Sequence, residues 1–121
     1  MIGYVTLGTN DLQRAARFYD ALLGTIGAKR QMDFGTFIAW GTEGSPMLAL
    51  TAPFDKKPAT VGNGVMVALQ MDSKAKVDAV YKKALELGGK DEGPAGPRGD
   101  GFYAGYFRDP DGIKLNAFFM G

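Results

Sequence analysis

The chain contains no cysteine and no histidine. The first absence excludes disulfides, a thiol nucleophile and thiolate metal sites. The second excludes imidazole metal ligands, a Ser-His triad and a histidine general base. Neither sign of charge is in excess: Lys+Arg 14 against Asp+Glu 13 leave a formal +1. That excludes nucleic-acid binding through a strong basic field and a strongly acidic groove for cationic ligands. No apolar run approaches the ~18 residues of a membrane-spanning helix, and no basic-then-apolar leader opens the chain. The expectation is a cytoplasmic protein with neither a nucleic-acid nor a membrane partner.

What is present suits one globular domain of 121 residues, 45% of them hydrophobic. Ile2–Gly8 alternates like a strand, and Thr9-Asn10-Asp11 supplies helix-cap chemistry. Leu12, Ala15, Tyr19, Leu22 and Leu23 follow at helical spacing until Gly24. Strands are predicted over Ile26–Asp33, Thr36–Trp40 and Met47–Leu50, then an aperiodic stretch, Thr51–Gly64. The same order returns. Val65–Met71 is strand-like, and Asp72-Ser73 cap a helix with Val77, Val80, Tyr81, Ala84 and Leu87 on its inner stripe and an Asp78–Lys82 pair outside. Lys90–Gly101 holds one irregular strand, and Phe102–Arg108 and Ile113–Phe119 are strands joined by a type I turn at Asp109-Pro110-Asp111-Gly112.

The chain therefore reads as α+β, with two βαβββ modules (1–52 and 64–121, linker 53–63) forming a curved mixed sheet around a central cleft. Aligning Tyr4 with Met66 brings the caps Asn10 and Asp72 into register. Period-two alternation sends Val5, Val67, Leu69 and Leu115 towards helices and Tyr4, Thr6, Met66, Ala68, Gln70 and Asn116 to the opposite face. A cleft between duplicated halves is a reasonable place for a small ligand.

These segments, in this order, resemble the vicinal oxygen chelate superfamily of glyoxalase I, bleomycin-resistance proteins and extradiol dioxygenases. The carriers are the opening strand, NDLQRAARFYDALLG with Phe18-Tyr19, GNGVMVAL at Gly62–Leu69 and FRDPDGIKLNAF at Phe107–Phe118. A small glyoxalase-like bacterial subfamily with a similar APGPR-then-Tyr stretch is the nearest likeness. The resemblance implies a divalent metal held by His, Glu or Gln. Its ligand positions fall on Tyr4, Ala49, Met66 and Asn116, which are not a competent set for a hard cation. None of the three glutamates, Glu43, Glu86 and Glu92, lies at such a position. A metal at the family site is not expected, and neither is any other cofactor.

Tyr4 could donate to a ligand or fill the vacated pocket, and Asn116 could orient a ligand through its amide. Lys114 could hold an anionic group, or act as a base if desolvated, and Gln70 shares the parity of Met66. Arg98 could clamp a carboxylate as a fork. Trp40, Tyr103 and Tyr106 are aromatic candidates for the cleft, and a one-residue slip in the last hairpin would exchange the two tyrosines. The leading expectation is a metal-independent small-molecule-binding protein, acting in resistance or sequestration. The alternatives are a glyoxalase-like lyase, isomerase or dioxygenase-related enzyme with a degenerate metal site, and a structural module with a filled cleft. The resemblance and an open sheet edge both imply a homodimer.

Overall fold

The computed structural model describes residues 1–121. The elements run β1 (Tyr4–Gly8), α1 (Leu12–Gly24), β2 (Lys29–Asp33), β3 (Phe37–Gly41), β4 (Met47–Thr51), β5 (Val67–Gln70), α2 (Lys74–Glu86), β6 (Lys90–Pro97), β7 (Phe102–Arg108) and β8 (Lys114–Met120). They form two compact units, Met1–Thr60 and Val61–Gly121. Each unit is a four-stranded mixed sheet with one helix, in the orders β1-β4-β3-β2 and β5-β8-β7-β6. The first and last strands of each unit pair in parallel, and the other pairs are antiparallel. The expected α+β duplication of βαβββ modules is what the chain adopts.

The helix starts agree with the repeat but sit one residue later in both halves. Asp11 caps α1, its Oδ1 accepting from the Arg14 N–H at 3.1 Å, and Ser73 caps α2 through Lys76 at 3.2 Å. Asn10 does something else. Its amide brackets the backbone of Ala59, accepting from the N–H at 2.6 Å and donating to the carbonyl at 3.2 Å. That clasp ties the unperiodic segment after β4 to the first unit. The expected Asp78–Lys82 pair is absent, because Asp78 instead accepts from the Tyr103 hydroxyl at 2.6 Å.

Each helix buries the stripe its spacing dictates. Ala15, Phe18, Tyr19 and Leu22 of α1 are buried, as are Ile38, Trp40, Leu48 and Leu50 of the same unit. In the second unit Val77, Val80 and Ala84 of α2 are buried with Phe107, Leu115 and Ala117 of the sheet. Gly105 permits this approach, since a Cβ there would stand 3.1 Å from the Tyr81 side chain. The helices lie over three strands of each sheet and not over β1 or β5. Val5 therefore stays 36% exposed, and Val67 and Leu69 are only half-buried. The three share the helix-side face as expected but are only partly covered there, whereas Leu115 is fully buried. Leu115→Ala should thus lose ~2–5 kcal/mol of stability and Leu69→Ala roughly 1 kcal/mol, since the second opens no sealed cavity. Urea midpoints of the two variants measure the difference.

In the first unit a polar clasp joins helix to sheet. The Arg30 guanidinium donates to both Asp20 oxygens, at 2.9 and 2.8 Å, and to Asp33 at 2.9 Å. Trp40 donates its indole N–H to Asp20 at 2.8 Å, and the Arg30 guanidinium lies 5.8 Å from the Trp40 ring centroid. The Arg30 hydrogen bonds, assisted by Trp40 and opposed by partial burial, hold the Asp20 carboxyl below its ordinary value. A carboxyl depressed in the folded state contributes stability that is complete above its unfolded value, ~3.9, and is lost as pH falls through the folded value. Asp20→Asn should therefore lose about 1 kcal/mol at pH 7, a figure discounted for the pair's exposure. The gap from the unsubstituted protein should narrow below about pH 4. Urea titrations at pH 7 and pH 3 test this; an equal gap at both would remove Asp20's charge from the account.

Candidate functional site

Residues paired across a sheet share a face, so the register sorts the candidates. In the second unit Ala68 pairs with Asn116 and Gln70 with Phe118. Tyr106 pairs with Asn116, Ala104 with Phe118 and Arg108 with Lys114. These residues form the face away from α2. Met66 directly precedes β5 and is 41% exposed. Tyr103 pairs with Phe119, three residues from Tyr106, and so lies on the opposite face. There its hydroxyl donates to Asp78 of α2, a bond that pushes the phenol above its ordinary value. The ambiguity between the two tyrosines is resolved: Tyr106 shares the face of Asn116, and Tyr103 leaves the candidate set.

In the first unit Thr6 pairs with Ala49 and Tyr4 with Met47, on the face away from α1. The Tyr4 ring meets Phe37 edge-on at 6.0 Å, and Phe37 stacks with Phe34 at 6.2 Å. Trp40 is a second correction. It alternates with Ala39 and shares the helix face with Ile38, is 1% exposed, and spends its N–H on Asp20. It cannot line a ligand site on the other face. A groove of about 310 Å³ lies beside α1, lined by Arg17, Arg30, Asp33 and Ile38 among others. Arg30 is already neutralised there by two carboxylates, and none of the expected site residues lines it.

The helix-free face of the second unit carries the polar chemistry. Asn116 is 2% exposed, and no donor in the chain reaches its buried Oδ1. Lys114 Nζ lies 5.5 Å from the Tyr106 ring centroid, and the Arg98 guanidinium lies 5.6 Å from it. Arg98 is held by backbone: Nη2 donates to the Pro94 carbonyl, and Nη1 donates to the Pro97 carbonyl at 3.3 Å. Two glycines make room for it. A Cβ at Gly93 or Gly96 would come within 3.3 Å of a guanidinium nitrogen. Arg108 pairs with Glu92 and donates to the Gly112 carbonyl at 2.9 Å. The Arg108 hydrogen bond holds Glu92 below its ordinary value, with a smaller through-space pull from Lys114.

Sequence reasoning missed two features of this face. The Arg108–Glu92 pair depends on a register set by the irregular β6, which shifts at Asp91/Gly93 and Gly93/Gly96. The stacked pair Phe102–Phe118, 5.6 Å apart, was accessible from period two once the hairpin register was known.

The donor chemistry can be set against the metal that the resemblance implies. Ala49 has no donor atom, Met66 offers a thioether, Tyr4 a phenol, and Asn116 one neutral amide oxygen. This set does not fit a hard divalent cation, and no three Asp or Glu side chains gather elsewhere to hold one. Asn116 thus stands as a buried acceptor, a condition that costs ~1–3 kcal/mol when no donor arrives. Asn116→Leu, close in shape and apolar, should raise stability by about 1–2 kcal/mol. A urea midpoint that falls instead would mean Oδ1 is satisfied in solution.

Comparison with known proteins agrees with this architecture. A family model described as the Glyoxalase/Bleomycin resistance protein/Dioxygenase superfamily matches residues 1–117. The solved structure of a glyoxalase/bleomycin resistance protein from Albidiferax ferrireducens is 34% identical with a TM-score of 0.89, covering 98% of this chain and 97% of that one. A lactoylglutathione lyase from Agrobacterium tumefaciens is 25% identical with a TM-score of 0.72, covering 98% and 92%. A family enzyme from Burkholderia phytofirmans, 18% identical with a TM-score of 0.78 and covering 96% and 95%, shares the fold. No functionally curated protein matches the chain. On the family match and its near-complete span, the chain belongs to the glyoxalase/bleomycin resistance protein/dioxygenase superfamily.

Proposed function

We propose that this chain is a metal-independent small-molecule-binding protein of its superfamily, acting by sequestration or resistance. The observation that carries the reading is Asn116, a nearly fully buried amide whose Oδ1 has no donor in the chain. Native proteins satisfy the great majority of buried polar atoms, and an exception calls for an explanation. A bound molecule that donates to Oδ1 supplies one. The residues around it support binding more than catalysis: the face presents cations and aromatic rings, and its one carboxylate, Glu92, is committed to Arg108.

In this reading the protein works in the cytoplasm as a homodimer. The end strands β1 and β5 each pair on one side only within their sheets, which leaves backbone donors and acceptors for a second copy. A glyoxalase-like lyase or isomerase is the competing reading. It draws on the likeness to the Agrobacterium lyase.

Thermal unfolding with and without added Zn²⁺, Ni²⁺, Mn²⁺ or Fe²⁺ tests the metal-independent reading. A metal present at a hundred times its Kd would add ~2.7 kcal/mol of stability, a shift of several degrees for a domain of this size. The expected shift is within scatter for all four ions. A stabilisation abolished by chelator would overturn the metal-independent reading and favour the enzyme.

A further inference from the structure

Along β8 the helix-free face changes character in one direction. Lys114, Asn116, Phe118 and Met120 follow each other on it at alternate positions, passing from cation to amide to apolar side chains. The antiparallel neighbour β7 repeats the gradient, since Arg108, Tyr106, Ala104 and Phe102 pair with those four residues in turn. At the apolar end Phe102 and Phe118 are stacked and Met120 is 62% exposed. At the polar end two cations lie on one aromatic ring.

Charge compensation differs sharply among these cations. Arg108 is neutralised by Glu92. Arg98 is bonded only to the carbonyls of Pro94 and Pro97, which orient the guanidinium without cancelling its charge. Lys114 makes no ion pair or hydrogen bond and meets Glu92 only through space. Two uncompensated cations, each about half a nanometre from the same ring, make this end of the face attractive to an anion. The glycines beneath Arg98 are further signs of a built position, because a side chain at either would crowd the guanidinium.

We infer that the molecule held on this face is an amphipathic organic acid, its carboxylate gripped by Arg98 and Lys114, a hydroxyl donating to Asn116 Oδ1, and its apolar body lying on Phe118 and Phe102. This rests on the small-molecule-binding reading above and gives that ligand a chemical class. Alternate residues of a strand stand about 6.7 Å apart. The acid therefore needs its donor a short step from the carboxylate and several carbons beyond that donor.

The test uses 3-hydroxyoctanoate as probe, with 3-hydroxyoctanamide lacking the charge and octanoate lacking the hydroxyl. Each is titrated into the ¹⁵N-labelled full chain and followed by amide shifts. The expected result is saturable shifts centred on Tyr106 and Lys114–Phe118, with binding at least tenfold weaker for the amide and severalfold weaker for octanoate. Arg98→Met and Lys114→Gln should each weaken 3-hydroxyoctanoate severalfold and leave the amide unchanged. Asn116→Leu should erase the preference for the hydroxyl. If Arg98→Met does not fold, Lys114→Gln and the weakening expected between 50 and 500 mM NaCl carry the same question.

Equal binding of acid and amide on this face would overturn the anion and leave the small-molecule reading standing. Shifts confined to other surfaces, or none with any of the three probes, would overturn the inference. The small-molecule reading would then stand or fall on whether a thermal-shift screen of neutral compounds finds a ligand that moves Asn116.

Discussion

The width of a helix governs this molecule. With its side chains a helix is about 10–12 Å across, and strands stand about 4.8 Å apart. One helix therefore covers two or three strands, and each unit has four strands to one helix. The fully buried side chains Leu50, Trp40, Leu115 and Phe107 come from the strands beneath the helices. The remainder is a sheet face without a helix and an end strand without a full complement of neighbours. Val5 and Leu69 show the boundary, since their parity is right for a core but both stay partly exposed, while Leu7 on the same face of β1 is buried.

Arginine shows how local partners turn one side chain to two ends. Arg30 sits on the helix face and meets Asp20 of α1 and Asp33 of its own strand. Its charge is consumed in holding helix to sheet, and the Trp40 indole completes the arrangement. Arg98 follows a strand carrying two glycines and meets only carbonyl oxygens. Carbonyls fix direction at little electrostatic expense to the cation, so its charge remains available. The same logic separates Arg108, matched by Glu92, from Lys114, its direct partner on the neighbouring strand.

Much of the fold was legible in the sequence because its signals are local. Cap residues, the 3.6-residue stripes of α1 and α2, and the Asp109–Gly112 turn all act within a few positions. The turn's Gly112 N–H donates to the Asp109 carbonyl at 2.9 Å, as a type I turn requires. The site was only partly legible because it depends on register, which is not local. Tyr103 and Tyr106 differ by an odd number of residues, so one must face the helix, and composition does not say which. The Gly105–Tyr81 contact settles it sterically: the residue opposite the helix ring has to be glycine, and its flanking parity follows. Trp40 was misplaced for the same reason, a β3 register not yet anchored, although its alternation with Ala39 and Gly41 contained the signal. Asn10 was mistaken for a cap because its true partner, Ala59, is 49 residues away.

Asn116 gathers these strands of argument. It is flanked in sequence by Leu115 and Ala117, both fully buried against the helix side, so its own side chain is forced to the other face. Its cross-strand neighbours are Ala68 and Tyr106, neither of which donates to Oδ1. A leucine is expected to fill that position without loss of stability. A buried polar group without a partner calls for an explanation, and the proposed ligand supplies one. The two uncompensated cations beside it tell the same story from the electrostatic side. In the proposed reading, the polar valences of this surface, one acceptor and two positive charges, are met by a molecule that brings one donor and one negative charge.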